Sequence, residues 1–529
     1  MTSNFPFLRV ALAPIAALLL LCVAGSAHAQ ANAWLKHVSV LSNDSMRGRE
    51  TGSREHHLAA GYVARQFRMA GLLPAGDHGY LQTVRFIGRS LVEEHSTVEV
   101  IRGGKSDTLS FGDDISLSAR VAIAPSIEAP LVFAGYGLYV PEKGVDDLSA
   151  IDLRGKIAVV LSGAPSSVAG PALSSAQSQR WRELRKRGAL GIILIADPRV
   201  TDVPPERARA TRLLPAMALT DTALDETMGE RFAGTFTSTF AERLLASTAH
   251  PLSDLRQLAR DGKPLPGFDL GESLRARVEM KSWPVTSENI AGILRGSDPK
   301  LRNQYVILSA HVDHLGVGLP VNGDSIFNGA LDNASGVATL IETAKAIAKG
   351  PRPRRSLVFV AVTGEEKGEL GSRYYANHPT VPASAIVANA NTDMLTAFYP
   401  LRSVIVNGLE ESDLADDVRR AAARDSLIAQ SDPEPERNSF VRSDQYSFIK
   451  RGIPSVSLKF GFELNSPEHR MVKRFRTERY HGVGDDLTQP IDFSAVQKFD
   501  RFYVDLVREI ANRPTTPRWN SDSYFRPRN

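Results

Sequence analysis

The chain has 529 residues, 43% of them hydrophobic and 23% charged, with a formal net charge of +4. That length exceeds what one ordinary core organises, so at least two domains are expected; the composition is globular and excludes a fibrous or disordered chain. Both charge signs are mixed along the sequence, which excludes a nucleic-acid footprint, and a pI near 9.0 does not by itself define an anionic partner.

Residues 1–30, MTSNFPFLRVALAPIAALLLLCVAGSAHAQ, carry one charge, Arg9, then an apolar run, then Ala27-His28-Ala29. This pattern predicts a signal peptide cut after Ala29 and a periplasmic or secreted product. Pro14 interrupts the run, whose length barely reaches that of a span, so no stable membrane anchor is expected. Cys22 is the only cysteine and leaves with the leader. Disulfides and thiol chemistry are therefore not expected in the mature chain, and any metal must fall to His, Asp and Glu.

Residues 54–72, REHHLAAGYVARQFRMAGL, have helical spacing with a stop at Gly71. The strand-like runs LQTVRFIG and STVEVIRG follow. Near 120 the texture changes to short β-rich runs, APLVFAGYGL, KIAVVLSG and ALGIILIAD, with a basic helix SQRWRELRKRG before the last. Residues 120–280 are read as an inserted module. From 288 strands alternate with helices: NIAGILRG and YVILSA, then the helix GVATLIETAKAIAK, then LVFVAV, SRYYANHP, SVIVNG and IPSVSLKF. The nearly continuous apolar strands predict a sheet covered on both faces. The expected fold is α/β, a mainly parallel mixed sheet sandwiched by helices and built from 30–119 with 281–513. The amphipathic run FSAVQKFDRFYVDLVREIAN predicts the last helix, and 514–529 is expected to be a flexible tail. No internal repeat is found.

In open α/β sheets ligands collect beyond the carboxyl ends of the strands. YVILSA runs into His311-Val312-Asp313-His314, LVFVAV into Thr363-Gly364-Glu365-Glu366, and SAIVANAN into Thr392-Asp393-Met394. Asp332 stands just ahead of an amphipathic helix starting near Ser335, and His481 lies in the Gly-rich loop ERYHGVGDD. Taken singly, each has an ordinary explanation. An acidic pair is usually a solvated turn, Asp332 with Asn333 can cap a helix, and a loop histidine usually faces water. Their order and strand-end placement together carry the signal.

SAHVDHLG, FNGALDNASGVATLIE, TGEEKGELGSRYYA, NTDML and RYHGVGDD, in that order, resemble the M28 family of co-catalytic zinc aminopeptidases. VFAGYGL and DLRGKIAVVL within 120–280 resemble the protease-associated (PA) domain often inserted in that family. The resemblance implies a zinc-peptidase/phosphorylase-like fold and two Zn2+ per chain. His311 and Asp393 would hold one ion, Glu366 and His481 the other, and Asp332 would bridge them. Asp313 would orient His311, and Glu365 would act as general base and then acid. The resemblance also implies a non-proline cis peptide after Asp332, a rare bond. Met394 and Tyr480 adjoin ligands and are expected to bind substrate, as is Phe440 in NSFVRSDQYSF, with Asp444 a buried anchor. Leu331, Gly482-Val483 and Gln445 depart from the family's usual pattern.

The resulting expectation is an exported di-zinc exopeptidase acting on the amino end of peptides, with peptides as its partners. Oxygen and imidazole donors do not separate zinc from cobalt or manganese. Three alternatives stand beside it. A carboxypeptidase on the same scaffold would use Arg437 or Arg442 for the substrate carboxylate. A glutaminyl-cyclase-like transferase would need one zinc. A non-catalytic ectodomain resembling transferrin receptors would have lost ligands, and here all five are present.

Overall fold

The computed structural model describes residues 33–527 except 166, 169 and 197–203. The expected signal peptide and Cys22 lie outside the described residues. Two large sheets organise the chain. The first has ten strands, in the order Ala216–Leu219, Leu81–Leu91, Met280–Leu294, Ser356–Val362, Tyr305–His311, Ile386–Thr392, Ser455–Phe460, Ser403–Asn407 and Ile428–Gln430, with Leu73–Pro74 added beside Met280–Leu294.

Parallel pairing is concentrated in the centre, joining Ser356–Val362, Tyr305–His311, Ile386–Thr392 and Ser455–Phe460. Both flanks are joined to this centre by antiparallel pairs. The physical reason lies in the side chains. Tyr305–His311 and Ser356–Val362 are buried at every position, as strands covered on both faces must be. Leu81–Leu91 instead alternates between buried and partly exposed positions.

Alternate residues of the central strands feed two cores. Val306, Leu308 and Phe359 pack with Phe67, Val337, Leu340, Phe499 and Tyr503, which come from the helices Arg54–Met69, Ser335–Lys349 and Phe493–Asn512. Ile307, Val358 and Val360 pack on the opposite face with Tyr375 and Phe448, from the helices Leu370–Asn377 and Gln445–Ile449. The sheet is thereby clasped by helices on both sides, and its strand ends open toward one edge.

The second sheet has eight strands and its own core. It begins before the expected boundary at 120, because Thr97–Arg102, Lys105–Thr108 and Ile115–Leu117 all belong to it. The change of texture at 120 marks a passage from the exposed strand Lys105–Thr108 to the fully buried Ile157–Leu161, not a passage between layers. Ala216–Leu219, inside the expected insert, pairs instead with Leu81–Leu91 of the first sheet.

Residues 514–527 do not fray. Trp519 Nε1 donates to the Gly452 carbonyl at 2.8 Å, and Phe525 packs 5.3 Å from the Phe440 ring. These two aromatics anchor a segment whose polar composition reads as a tail. Among the described residues no helix is long and apolar enough to cross a membrane.

Candidate metal centre

Three neighbouring central strands converge on one place. Tyr305–His311 ends on His311, Ser356–Val362 leads into Glu365 and Glu366, and Ile386–Thr392 leads into Asp393. Asp332 sits in the turn Ala330–Ala334 just before helix Ser335–Lys349, and the Asp332–Asn333 peptide is cis. His481 follows helix Pro467–Glu478 and holds a left-handed backbone, φ 52. Met394 does likewise at φ 60. Such conformations are uncommon outside glycine and cluster where side chains must be aimed.

The two oxygens of Asp332 face different histidines. Oδ1 lies 3.2 Å from His311 Nε2, and Oδ2 lies 3.2 Å from His481 Nε2. His311 Nε2 is also 3.3 Å from Asp393 Oδ1, and His481 Nε2 is 3.2 Å from Glu366 Oε2. The result is two His–carboxylate pairs sharing one carboxylate. Donors about 2 Å from a common ion at tetrahedral angles stand about 3.3 Å apart, so the spacing fits a divalent ion in each lobe. Glu365 also approaches His311 and Asp393.

The electrostatics fit the same reading. Burial alone would lower the His481 pKa, but the Glu366 and Asp332 carboxylates push it up to about 10. Burial opposes ionisation of Asp332, yet hydrogen bonds from His311 and His481 hold it well below the usual carboxylate range. Burial pushes the Glu365 carboxyl well above that range. A pocket that draws protons onto its imidazoles is one that demands positive charge, which bound cations supply.

The strand-end loops are braced by groups that the sequence reading did not single out. Asp485 accepts from the Leu331 amide at 3.0 Å and the Asp332 amide at 2.9 Å, fixing the backbone of the shared ligand. Arg49 is fully buried and donates to the carbonyls of Val312, Asn328 and Gly329, tying the His311 and Asp332 loops together. Asn333 reaches across to the Asp393 loop, accepting from the Met394 amide at 3.2 Å and donating to Thr392 O at 3.0 Å. Arg207 donates to the carbonyls of Thr477 and Tyr480 at the start of the His481 loop. His314 Nδ1 lies 2.6 Å from Glu366 Oε1. Each looks unremarkable in the sequence; only the HVDHLG motif itself hinted at His314.

Asp313 does more than stand behind His311. His311 Nδ1 faces its backbone carbonyl at 3.1 Å, while its carboxylate accepts from the Glu365 amide at 3.2 Å, the Glu366 amide at 3.4 Å and the Thr51 hydroxyl at 2.9 Å. It therefore positions the acidic pair as well as the histidine.

Beside these groups opens a cavity of about 330 Å³, lined among others by Asp332, Glu365, Glu366, Asp393, Met394, Tyr480 and His481. The Tyr480 ring stacks on His481 with centroids 3.9 Å apart, and burial keeps its phenol protonated. Phe440, expected to bind substrate, is not among the lining residues. It packs with Val441, Tyr446, Trp519 and Phe525, because the docked C-terminal segment offers it an apolar partner. Asp444 is buried as expected, and burial pushes its carboxyl up to about 8.

Residues 289–507 match the model of Peptidase family M28. A probable zinc metalloprotease of Leptosphaeria maculans is 31% identical over 296 residues, covering 50% of this chain and 67% of that protein. Aminopeptidase YwaD of Bacillus subtilis is 27% identical over 248 residues, 44% of this chain and 50% of that one. The chain spans only 51%, 60% and 59% of three other fungal relatives described as probable zinc metalloproteases. In fold it is similar to an aminopeptidase from Aneurinibacillus sp. strain AM-1, with a TM-score of 0.56 at 20% identity over 92% of this chain and 95% of that one.

Proposed function

Because the chain belongs to peptidase family M28, we propose that it is an exported metallo-aminopeptidase holding two zinc ions. The observation that carries this reading is the Asp332 carboxylate shared between two His–carboxylate pairs, with a further acid, Glu365, beside them in the cavity. His311 and Asp393 would hold one zinc, Glu366 and His481 the other, and Asp332 both. Bound zinc supplies Lewis acidity, making water a stronger acid and polarising the scissile carbonyl.

The remaining work falls to this chain's own side chains. Glu365, whose carboxyl is shifted up by burial, takes a proton from the attacking water and returns it to the leaving amine. Asp313 holds Glu365 at its backbone amide, so the base keeps its position as its charge changes. Tyr480, kept protonated, donates toward the oxygen that gains negative charge. The second sheet reaches the same cavity through Arg120, which donates to the Glu366 carbonyl at 3.2 Å. In this reading that PA-like unit narrows access and excludes large folded substrates.

A carboxypeptidase reading is favoured by one observation: Arg437 and Arg442 both line the cavity. The two readings part on substrates with a free or a blocked amino end. Aminoacyl nitroanilides and N-blocked peptides are offered before chelation, after it, and after zinc is restored. The aminopeptidase reading expects zinc-dependent cleavage of the former alone; cleavage of blocked peptides at their C-terminal bond would overturn it.

A further inference from the structure

From the acidic end the cavity runs past Met394 and Tyr480 to a far wall carried by the strands Ser403–Asn407 and Ser455–Phe460. Ile405 and Lys459 are cross-strand partners, and both line the cavity. Ser455–Phe460 is buried at every position except Lys459. An ammonium is thus set into an apolar strand, where leaving water costs free energy unless a partner compensates.

The acids of that wall do not supply the partner. Asp432 turns Oδ1 to the Glu434 amide at 2.9 Å. Glu434 is committed to Arg476 through contacts of 2.6 and 3.1 Å. Lys459 makes no ion pair with either among the described residues. Arg437 and Arg442 add to the same wall, so four cations face two carboxylates there. Phe460 and Phe462 line it too and offer apolar surface for methylene groups.

We propose that this wall is a carboxylate subsite centred on Lys459, and that it receives the side chain of an acidic first residue. The enzyme would then favour peptides beginning with Glu or Asp. The inference rests on the aminopeptidase reading. Met394 and Tyr480 each adjoin a candidate ligand and line the path from reacting carbonyl to wall, which is where the first side chain must lie.

The test compares Glu-, Asp-, Leu- and Lys-nitroanilides on the zinc-loaded wild type, Lys459→Met and Lys459→Glu, with equal zinc content as the check on folding. The wild type is expected to favour Glu over Leu by about tenfold in kcat/KM, the scale of one charge-assisted hydrogen bond. Lys459→Met should bring that ratio near one, chiefly through KM, and Lys459→Glu should turn the preference toward Lys. A second arm offers Leu-Gly and its amide. If Lys459 discriminates these two but not Glu from Leu, the carboxylate belongs to the chain end and the proposal is overturned.

A calorimetric titration with free glutamate and free leucine needs no turnover, so it decides the matter even if no anilide is cleaved. Tighter glutamate binding that is lost in Lys459→Met supports the subsite. Equal binding of the two amino acids overturns it, whichever way the peptidase reading falls.

Discussion

At the scale of single residues, two neighbouring glutamates are given different work by where their backbone is held. Glu366 faces His481 at 3.2 Å, whereas Glu365 keeps to the cavity beside His311 and Asp393. Glu365→Gln should therefore lower kcat by about 10²–10⁴-fold while zinc content stays at the wild-type level; a loss of zinc in parallel would make Glu365 a ligand instead. Asp485 touches no candidate ligand side chain but holds the amides of Leu331 and Asp332. Asp485→Asn, titrated with a competing chelator, should weaken zinc binding by about 10–100-fold with an unchanged circular-dichroism spectrum. Legibility at this scale followed chemistry. His311, Glu366 and Asp393 could be read because apolar runs point at them. Asp485 reads as half of a solvated Asp-Asp turn, and nothing local marks it as a brace. Phe440 was misplaced because its ring is directed by Phe525, a residue 85 positions further on that packs against it.

Among the secondary-structure elements, the helix Phe493–Asn512 is tied to Ser335–Lys349 by a buried polar chain. Trp34 Nε1 donates to Thr339 Oγ1 at 3.2 Å, and that hydroxyl donates to Asp500 Oδ1 at 2.7 Å. Burial outweighs this hydrogen bond and pushes the Asp500 carboxyl up to about 7. The folded state therefore holds this proton more tightly than the unfolded chain does. The stability it contributes is complete below the ordinary carboxylate range and is lost as pH rises through about 7. Asp500→Asn stays neutral throughout, so its melting temperature should match the wild type near about pH 4 and exceed it near about pH 8. A constant gap across that range would show that the carboxyl does not titrate there. Elements with a strong period were legible, such as Ser335–Lys349 and the central strands. Ala216–Leu219 was not, since four residues, AMAL, carry too little pattern to say which sheet they join.

At the level of the whole molecule, the docked C-terminal segment and the second sheet close around one working edge of the first sheet. Trp519→Ala removes the ring that bonds Gly452 and packs near Phe525. It should cost about 2 kcal/mol, below the range for a fully buried tryptophan, read as an earlier denaturation midpoint; no change would mean the segment is held elsewhere. The alternation of strands and helices made the first sheet legible from sequence. Its partition from the second sheet was not, because chain order and layer order separate between 97 and 119.

The central claim is that Asp332 lies between two zinc ions. Anomalous diffraction at the zinc edge, on crystals of zinc-loaded protein, tests it most directly. The account predicts two peaks about 3.5–4 Å apart, one by His311 and Asp393 and one by Glu366 and His481. A single peak, or two peaks away from the Asp332 carboxylate, would contradict it.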